Sequence, residues 1–217
     1  WDRRFTSQLK ENNVAEAAQD GFSGLNSYFD ARFERRAIKI LPGEFFATSE
    51  DDMIVTVLGS CVAACLRDTK NHIQGMNHFL LPCDFGDDCA RYGAPARYGM
   101  HAMELLINQM MRMGADRRYM QAKVFGGGNV LPGITVNNVG QRNADFVIEY
   151  LRRENIPIVA SDLLGDYPRK VYFFPEDGEV KVKKIKRLNN TTIMDRESVY
   201  RQKLKQKTAD SEFDLFQ

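Results

Sequence analysis

The chain alternates between short apolar runs typical of β-strands and two longer segments with the spacing of amphipathic helices. In chain order, the predicted strands cover residues 53–58, 61–66, 73–81, 122–125, 156–160, 171–174 and 180–185. Residues 100–113 place apolar side chains at i, i+3, i+4 and i+7, and Gly114 follows as a helix end. Residues 143–154 show a second helical stripe. Strands therefore outnumber helices.

Two of the predicted strand pairs are joined by short polar segments, which makes them antiparallel hairpins. Residues 67–72 join the strands at 61–66 and 73–81, and an Asp177-Gly178 pair lies in the second connection. Such connections do not fit a purely parallel, doubly wound sheet. We predict an α/β fold, a layered α-β-β sandwich with mixed or antiparallel sheets in a single domain.

Changes in composition divide the chain into three parts. Residues 1–36 are polar and charged, and we expect a peripheral, partly helical extension with a helix at 29–36. Apolar periodicity covers residues 37–188, which we interpret as the folded domain. Residues 189–217 are charged and polar, so we expect a solvated, flexible tail.

Composition and charge exclude several classes of function. The 217 residues include 30 Lys and Arg against 29 Asp and Glu, so no overall field draws the protein to nucleic acid or to an anionic membrane surface. No apolar run nears the roughly 20 residues of a membrane span, and no signal-peptide core is present. Four cysteines are too few for a secreted disulfide framework. We therefore expect a cytoplasmic protein without nucleic-acid binding or membrane insertion.

The first predicted hairpin brings a cysteine opposite a histidine. If it closes symmetrically about Thr69 and Lys70, Cys61 faces His78 directly across the strand pair. Directly opposed residues have Cβ atoms about 4.5 to 5.5 Å apart on one face of a sheet. A neighbouring imidazole can take the thiol proton to create a thiolate nucleophile and can later protonate a leaving amine. The spacing therefore predicts Cys61 as a nucleophile and His78 as its general base.

The residues before the cysteine extend this hypothesis. Gly59 and Ser60 precede Cys61, and a glycine lets the chain turn so that backbone N–H groups form an oxyanion hole. The other two histidines lie in the predicted turn and on the polar face of a helix. Spacing alone leaves an alternative open, in which Cys61 is a small buried hydrophobe and His78 a satisfied core histidine.

Cysteine and glycine spacings also raise two weaker alternatives. The four cysteines are Cys61, Cys65, Cys83 and Cys89. No Cys-x-x-Cys pair occurs among them, so a zinc site is a minor alternative. Residues 126–128 are all glycine but lack the rest of a dinucleotide fingerprint and a P-loop lysine. We interpret them as a turn that is either structural or, through Gly126 and Gly127, beside the substrate, and we predict no cofactor and no metal.

Seven ordered sequence blocks carry a resemblance to a known family. The blocks are LPGEFFAT at 41–48, VTVLGSCVAACLRD at 55–68, GMNHFLLP at 75–82, YGMHAMELLI at 98–107, AKVFGGGN at 122–129, VGQRNADFV at 139–147 and PRKVYFF at 168–174. Over residues 37–188 the chain resembles the CheD family of chemoreceptor glutamine deamidases. In that family the cysteine of the GSC motif is the nucleophile, the histidine of the following strand is the base, and an upstream threonine completes the triad. The resemblance therefore implies Cys61, His78 and Thr56.

The resemblance also implies a substrate and a partner. Family members hydrolyse glutamine side chains on the cytoplasmic helices of chemoreceptors to glutamate, releasing ammonia, and also bind a CheC-type phosphatase. We expect such a deamidase here, with glutamyl methyl esters as secondary substrates. The alternative is mainly a regulatory binding partner of a CheC-type phosphatase. The family usually has two consecutive glycines where this chain has Leu164 and Gly165, so a substrate groove shaped by that loop would differ.

Overall fold

The computed structural model describes residues 25–81, 94–130, 139–185, 195–200 and 202–204. The strands are β1 (Asn26–Asp30), β2 (Arg35–Lys39), β3 (Phe45–Thr48), β4 (Met53–Leu58), β5 (Val62–Asp68), β6 (Gln74–Asn77), β7 (Met120–Gly126), β8 (Ile158–Leu163), β9 (Arg169–Phe173) and β10 (Val180–Lys184). The helices are α1 (Ala94–Arg112), α2 (Val139–Arg153) and α3, whose described residues are 195–200 and 202–204, with a 3-10 helix at Arg117–Tyr119.

The strands form two five-stranded sheets. The central sheet has the order β3-β6-β5-β7-β8, and the outer sheet has the order β1-β2-β4-β9-β10. Only β7–β8 and β2–β4 pair in parallel, while the remaining neighbours are antiparallel. Helices α1 and α2 pack on the free face of the central sheet. The predicted layered α-β-β sandwich with mixed sheets is confirmed.

Alternation along β5 shows why the central sheet is covered on both faces. Val62, Ala64 and Leu66 lie in the core beneath the helices, whereas Ala63 and Cys65 lie in the core between the two sheets. Successive side chains of a strand point to opposite faces, so an unbroken apolar run fits a strand that is buried on both sides. The candidate site residues described below lie in the layer between the sheets.

The predicted helix at 29–36 is wrong. The segment forms the end of β1, a turn and the start of β2, and the two strands pair antiparallel at the edge of the outer sheet. Phe33 in the turn packs edge-on against Tyr172 and Phe174, with ring centroids 5.1 Å apart in both contacts. Packing of the partly buried Phe33 against two buried aromatic rings and pairing of β2 with β4 outweigh the weak helical propensity of the segment.

Both predicted helices and both predicted hairpins are confirmed, with changes at their ends. Helix α1 begins at Ala94, ahead of the predicted start, and its first turn accommodates Pro95, because the first N–H groups of a helix have no acceptor within the helix. Gly114, with a φ of 105°, ends α1 as predicted. The sequence analysis did not identify β3 or α3 as elements.

The register of the first hairpin differs from the symmetric one. Val62 pairs with Phe79, so Ala63 rather than Cys61 is opposite His78. The turn is asymmetric because the Asp68 carboxylate accepts hydrogen bonds from the backbone N–H groups of residues 70 and 71. The shift is two residues, which preserves the alternation of faces. Cys61 and His78 therefore remain on the same face as diagonal neighbours instead of a direct pair.

The C-terminal segment also differs from the expected solvated tail. Residues 195–200 and 202–204 are helical, and Glu197 and Leu204 on this helix are buried. No helix in the described part of the chain is long and apolar enough to cross a membrane.

Leu164 lies in a loop that requires left-handed backbone. Its φ is 65°, its N–H donates to the carbonyl of Gly126 at 2.8 Å, and its carbonyl accepts from the buried guanidinium of Arg169. Glycine adopts this conformation without steric cost, whereas other residues lose roughly 1 to 2 kcal/mol. The glycine that the family resemblance leads us to expect at this position therefore has a backbone reason, and leucine here is strained.

Replacing Leu164 with glycine and with alanine separates this backbone strain from side-chain packing. Both variants lose the leucine side chain, but only Leu164→Gly relieves the left-handed strain. We expect Leu164→Gly to be more stable than Leu164→Ala by about 1 kcal/mol in urea denaturation. At a position with ordinary backbone angles, a glycine variant is less stable than the alanine variant. A Leu164→Gly protein less stable than Leu164→Ala would therefore contradict the assignment of strain.

Candidate active site

Thr56, Cys61 and His78 project into the layer between the two sheets. Thr56 lies in β4 of the outer sheet, Cys61 directly precedes β5, and His78 directly follows β6 of the central sheet. The residues two positions on either side of Thr56 and of His78 belong to the inter-sheet core, as Cys61 itself does. The three side chains are 0%, 0% and 2% exposed, respectively. The structure thus brings all three predicted residues into one buried layer.

Hydrogen bonding fixes the tautomer of His78. The Thr56 hydroxyl donates its only proton to the carbonyl of Ile40 at 2.9 Å. It lies 2.8 Å from His78 Nδ1 and must accept there, so Nδ1 carries a proton. Nε2 is then the unprotonated nitrogen, and it is buried without a hydrogen-bond partner among the described residues. The free lone pair is therefore available to take a proton.

Burial keeps the imidazole neutral. It lowers the pKa of His78 to about 3, because the charged form is poorly solvated between the sheets. The backbone of His78 is also fixed, since its N–H donates to the Glu44 carbonyl at 2.9 Å and its carbonyl accepts from Gly43 at 2.7 Å. A neutral ring in a fixed position is the form that a general base requires.

The two described cysteines differ in their surroundings. Neither forms a disulfide with the other, and both are buried. Cys65 lies within β5, and burial raises its pKa far above the usual range. Cys61 lies at the strand start beside Tyr98 and Tyr200, whose hydroxyls contact each other. Burial raises the pKa of both tyrosines, and their proximity to Cys61 adds to that effect.

The glycine segment at residues 126–128 donates hydrogen bonds to the carbonyl groups of the loop at residues 59–61, which precedes β5. The N–H of Gly127 donates to the Cys61 carbonyl at 2.7 Å, and the N–H of Gly128 donates to the Gly59 carbonyl at 2.8 Å. Gly126 lies so close that a Cβ there would be 2.1 Å from the Cys61 carbonyl oxygen. The N–H of Gly127 is therefore committed to the loop. This placement favours a positioning role for Gly126 and Gly127 over direct substrate contact.

Asn143 of α2 completes the support of this loop. Its side-chain N–H donates to the Ser60 carbonyl at 2.8 Å, and its Oδ1 accepts from the N–H of Leu81 at 2.9 Å. The residue is fully buried. Sequence analysis missed Asn143, although a polar residue on the buried stripe of a predicted helix was an available signal.

The N–H groups of the same loop converge on one carboxylate. Glu197 Oε1 accepts from the N–H of Gly59 at 2.9 Å and from the N–H of Cys61 at 3.3 Å. Glu197 Oε2 accepts from the N–H of Ser60 at 3.2 Å and from its hydroxyl at 2.6 Å. Such a concave set of backbone N–H groups binds anions and developing negative charge. The predicted oxyanion donors are thus positioned together, around a carboxylate from α3.

Gly59 contributes to this arrangement through its missing side chain. Its φ is not in the left-handed region, so a tight turn does not explain the residue. A Cβ at this position would lie 2.8 Å from Glu197 Oε1 and 3.1 Å from a methyl group of Val130. Glycine is needed here because the carboxylate oxygen of Glu197 approaches the backbone too closely to leave room for a side chain.

Sequence analysis also missed Glu197. The residue belongs to a segment rich in charged side chains, and no pattern marks it as buried. Only the docking of α3 on the loop gives it a partner.

No group of three or more His, Cys, Asp and Glu residues suited to a metal ion occurs in the part of the chain that the structure describes. Cys83 and Cys89, which entered the zinc alternative, lie outside the described residues.

The fold and the site define a class of protein: a two-sheet α/β domain with a buried thiol, a neutral histidine and a loop of convergent N–H groups. A sequence model of the family described as CheD chemotactic sensory transduction matches residues 80–184, a stretch that begins after these three side chains. The chain belongs to the CheD family, because relatives more than half identical in sequence align over most of its length.

Three relatives illustrate the extent of this similarity. A probable chemoreceptor glutamine deamidase CheD 1 from Shewanella oneidensis is 60% identical over 191 residues, or 88% of this chain and 93% of that protein. A probable chemoreceptor glutamine deamidase CheD from Laribacter hongkongensis is 54% identical over 190 residues, covering 88% and 92%. A protein of the same name from a Janthinobacterium strain is 50% identical over 203 residues, covering 94% and 100%.

The buried neutral His78 predicts a specific dependence of stability on pH. Between the ordinary pKa of 6.5 and the folded value of about 3, the unfolded chain binds a proton that the folded chain does not. The free energy of unfolding should therefore fall as the pH is lowered from 6.5, by about 2 kcal/mol near pH 5 from this residue alone. Urea denaturation at several pH values should show a flatter profile for His78→Gln. The exposed His101 provides the control, and equal slopes for His78→Gln and His101→Gln would contradict the assignment.

Asn143→Ala tests the support of the loop from α2. It leaves the Ser60 carbonyl and the Leu81 N–H buried without their partner. We expect a loss of about 2 kcal/mol or more in the free energy of unfolding. Asp145→Ala, at an exposed position of the same helix, should change stability by no more than about 0.5 kcal/mol. Equal effects of the two substitutions in urea denaturation would refute a structural role for Asn143.

Proposed function

We propose that this protein hydrolyses the side-chain amide of glutamine residues on the cytoplasmic helices of chemoreceptors, yielding glutamate and ammonia. The observation that carries the proposal is the ring of N–H groups at residues 59–61, which holds the side-chain carboxylate of a glutamate. Glutamate is the group that the reaction would produce. The relatives named as probable chemoreceptor glutamine deamidases support the same substrate class.

In the proposed first step, Cys61 attacks the carboxamide carbon. The thiol proton passes to His78 Nε2, and a bond forms between Sγ and the carbon. The negative charge that develops on the carboxamide oxygen is stabilised by the N–H groups of Gly59 and Cys61, which already converge on one oxygen position. The imidazolium then protonates the nitrogen, the C–N bond breaks, and ammonia leaves a thioester.

In the second step, water hydrolyses the thioester. His78 Nε2 takes a proton from water as the water oxygen bonds to the acyl carbon, and the C–S bond breaks. The thiolate recovers its proton from the imidazolium, and the product leaves as a glutamic acid side chain that loses its proton to solvent to become the carboxylate. Thr56 holds the ring throughout by accepting from Nδ1–H. Since a neutral hydroxyl stabilises an imidazolium less than a carboxylate does, we expect modest turnover.

Two finer features belong to the same proposal. Glutamyl methyl esters present the same carbonyl with a better leaving group, and we expect them as secondary substrates. Association with a CheC-type phosphatase is the alternative role. The alignment of Thr56 with His78 Nδ1 favours the hydrolase, because a surface that only binds a partner does not require a free Nε2 in a buried layer.

Cys61→Ala tests the proposed nucleophile. Removal of the thiol should abolish ammonia release from purified receptor and the conversion of receptor glutamine to glutamate, as followed by mass spectrometry of receptor peptides. Cys65→Ala is a matched control, because Cys65 is a second buried thiol on the same face, four residues further along the chain. The control should retain activity.

The outcome separates the two roles. Undiminished ammonia release from Cys61→Ala would refute the proposed mechanism. Restoration of chemotaxis by a Cys61→Ala protein that lacks deamidase activity would instead favour the regulatory binding role.

A further inference from the structure

We propose that α3 is an intramolecular inhibitor, whose Glu197 side chain occupies the subsite for the substrate carboxamide, so that the helix must leave before a receptor glutamine enters. This inference rests on the proposed function for the identity of the subsite. Its structural basis is independent of that function, since it lies in the contacts of α3 with the loop at residues 59–61.

The two carboxylate oxygens occupy the positions expected for a bound product. Oε1 receives two backbone N–H groups, from Gly59 and Cys61, as the carbonyl oxygen of a substrate would. Oε2 accepts from the Ser60 N–H at 3.2 Å and from the Ser60 hydroxyl at 2.6 Å. If a carboxamide nitrogen took this position, the hydroxyl could turn to accept from it, while the Ser60 N–H would lose its acceptor. The site therefore holds a glutamate with every donor paired and admits a glutamine with one donor left over. A carboxylate has no ammonia to lose, so Glu197 is an unreactive occupant.

One face of α3 carries all of its buried contacts. Glu197, Tyr200 and Leu204 follow i, i+3 and i+7 spacing, and Glu197 and Leu204 are buried. The Tyr200 hydroxyl contacts that of Tyr98 on α1, and its ring lies where a side chain at Gly43 would be. The remaining described residues of α3 are exposed. The surface formed by the loop at residues 59–61, Tyr98 and Gly43 thus accepts a helix that presents a glutamate-length side chain to the backbone N–H of Cys61.

Substrate and α3 cannot be bound together. With α3 in place, a pocket of about 20 Å³ reaches His78, which is room for about one water molecule. Arg196 and Glu197 form part of its lining. A glutamine side chain on a helix does not fit into that space. Binding of α3 and of substrate is therefore competitive, and the apparent affinity for substrate falls with the fraction of molecules in which the site is open.

The first test compares wild type with Glu197→Ala, and with Ser198→Ala as an exposed control on the same helix. Loss of the charge-assisted hydrogen bonds should raise the rate of Cys61 alkylation by iodoacetamide roughly tenfold or more, measured by peptide mass spectrometry of the full-length protein. Receptor deamidation at low substrate concentration should rise in parallel. If the Tyr200 contact alone keeps α3 docked in Glu197→Ala, a second variant, Glu197→Lys, still tests the inference. It places a cation against N–H donors, and the repulsion should displace the helix.

The second test converts the inhibitor into a substrate. Glu197→Gln places a carboxamide where the carboxylate lies, and we expect the purified protein to convert Gln at 197 to Glu by its own chemistry. The double variant with Cys61→Ala should keep the amide. Gln202, an exposed natural glutamine on the same helix, is an internal control that should stay unchanged in every variant.

The outcomes distinguish failure of the inference from failure of the proposed function. Unchanged Cys61 alkylation in both Glu197→Ala and Glu197→Lys would overturn the inference. So would retention of the amide at 197 by a protein that deamidates receptors. Faster alkylation in a protein that deamidates neither receptor nor position 197 would support the occupancy of the site by α3 and refute the deamidase function.

Discussion

The site depends on how the three carbonyl groups at residues 59–61 are bonded. Gly128, Asn143 and Gly127 donate to them in turn, all from the side of the glycine segment and α2. Because a trans peptide is planar, its C=O and the following N–H point in opposite directions. Bonding the carbonyls of Gly59 and Ser60 on one side therefore directs the N–H groups of the next two residues to the other. A set of convergent N–H donors therefore follows from backbone geometry and needs no charged side chain.

A second constraint comes from stacking two sheets about 10 Å apart. Side chains from the two sheets meet between them, so the Thr56 hydroxyl of the outer sheet lies 2.8 Å from His78 Nδ1 of the central sheet, although no strand pairing joins these two sheets. The sequence could predict that Cys61 and His78 share a face, because side chains alternate with a period of two and the error in register was itself two residues. A one-residue error would have separated them. The contact with Thr56 came from the family resemblance, since alternation within one sheet carries no information about the distance to another.

The features that sequence analysis missed depend on contacts remote in the chain. Phe29 to Arg36 reads as a weak helix until the rings of Tyr172 and Phe174 are present to bury Phe33. Glu197 resembles any glutamate in a charged segment, and its burial depends on donors 136 to 138 residues away. Leu164 is the opposite case. Its departure from the family glycine was visible in the sequence, but its positive φ, which gives the departure a physical meaning, required the structure.

Burial links the closed site to its protonation state. With Glu197 docked, His78 is almost fully buried and its pKa is lowered to about 3, so the free Nε2 lone pair can accept a proton from a thiol but holds it only weakly. The thiol then stays protonated, and a protonated thiol is a weak nucleophile. Arg196 and Glu197 of α3 line the pocket that reaches His78, so departure of α3 would admit water or a polar substrate beside the ring. Better solvation of the imidazolium would move the pKa of His78 toward its ordinary value. Under the proposed mechanism, the helix that blocks the subsite would also keep the thiol unreactive, so that substrate entry and activation of the thiol would occur together.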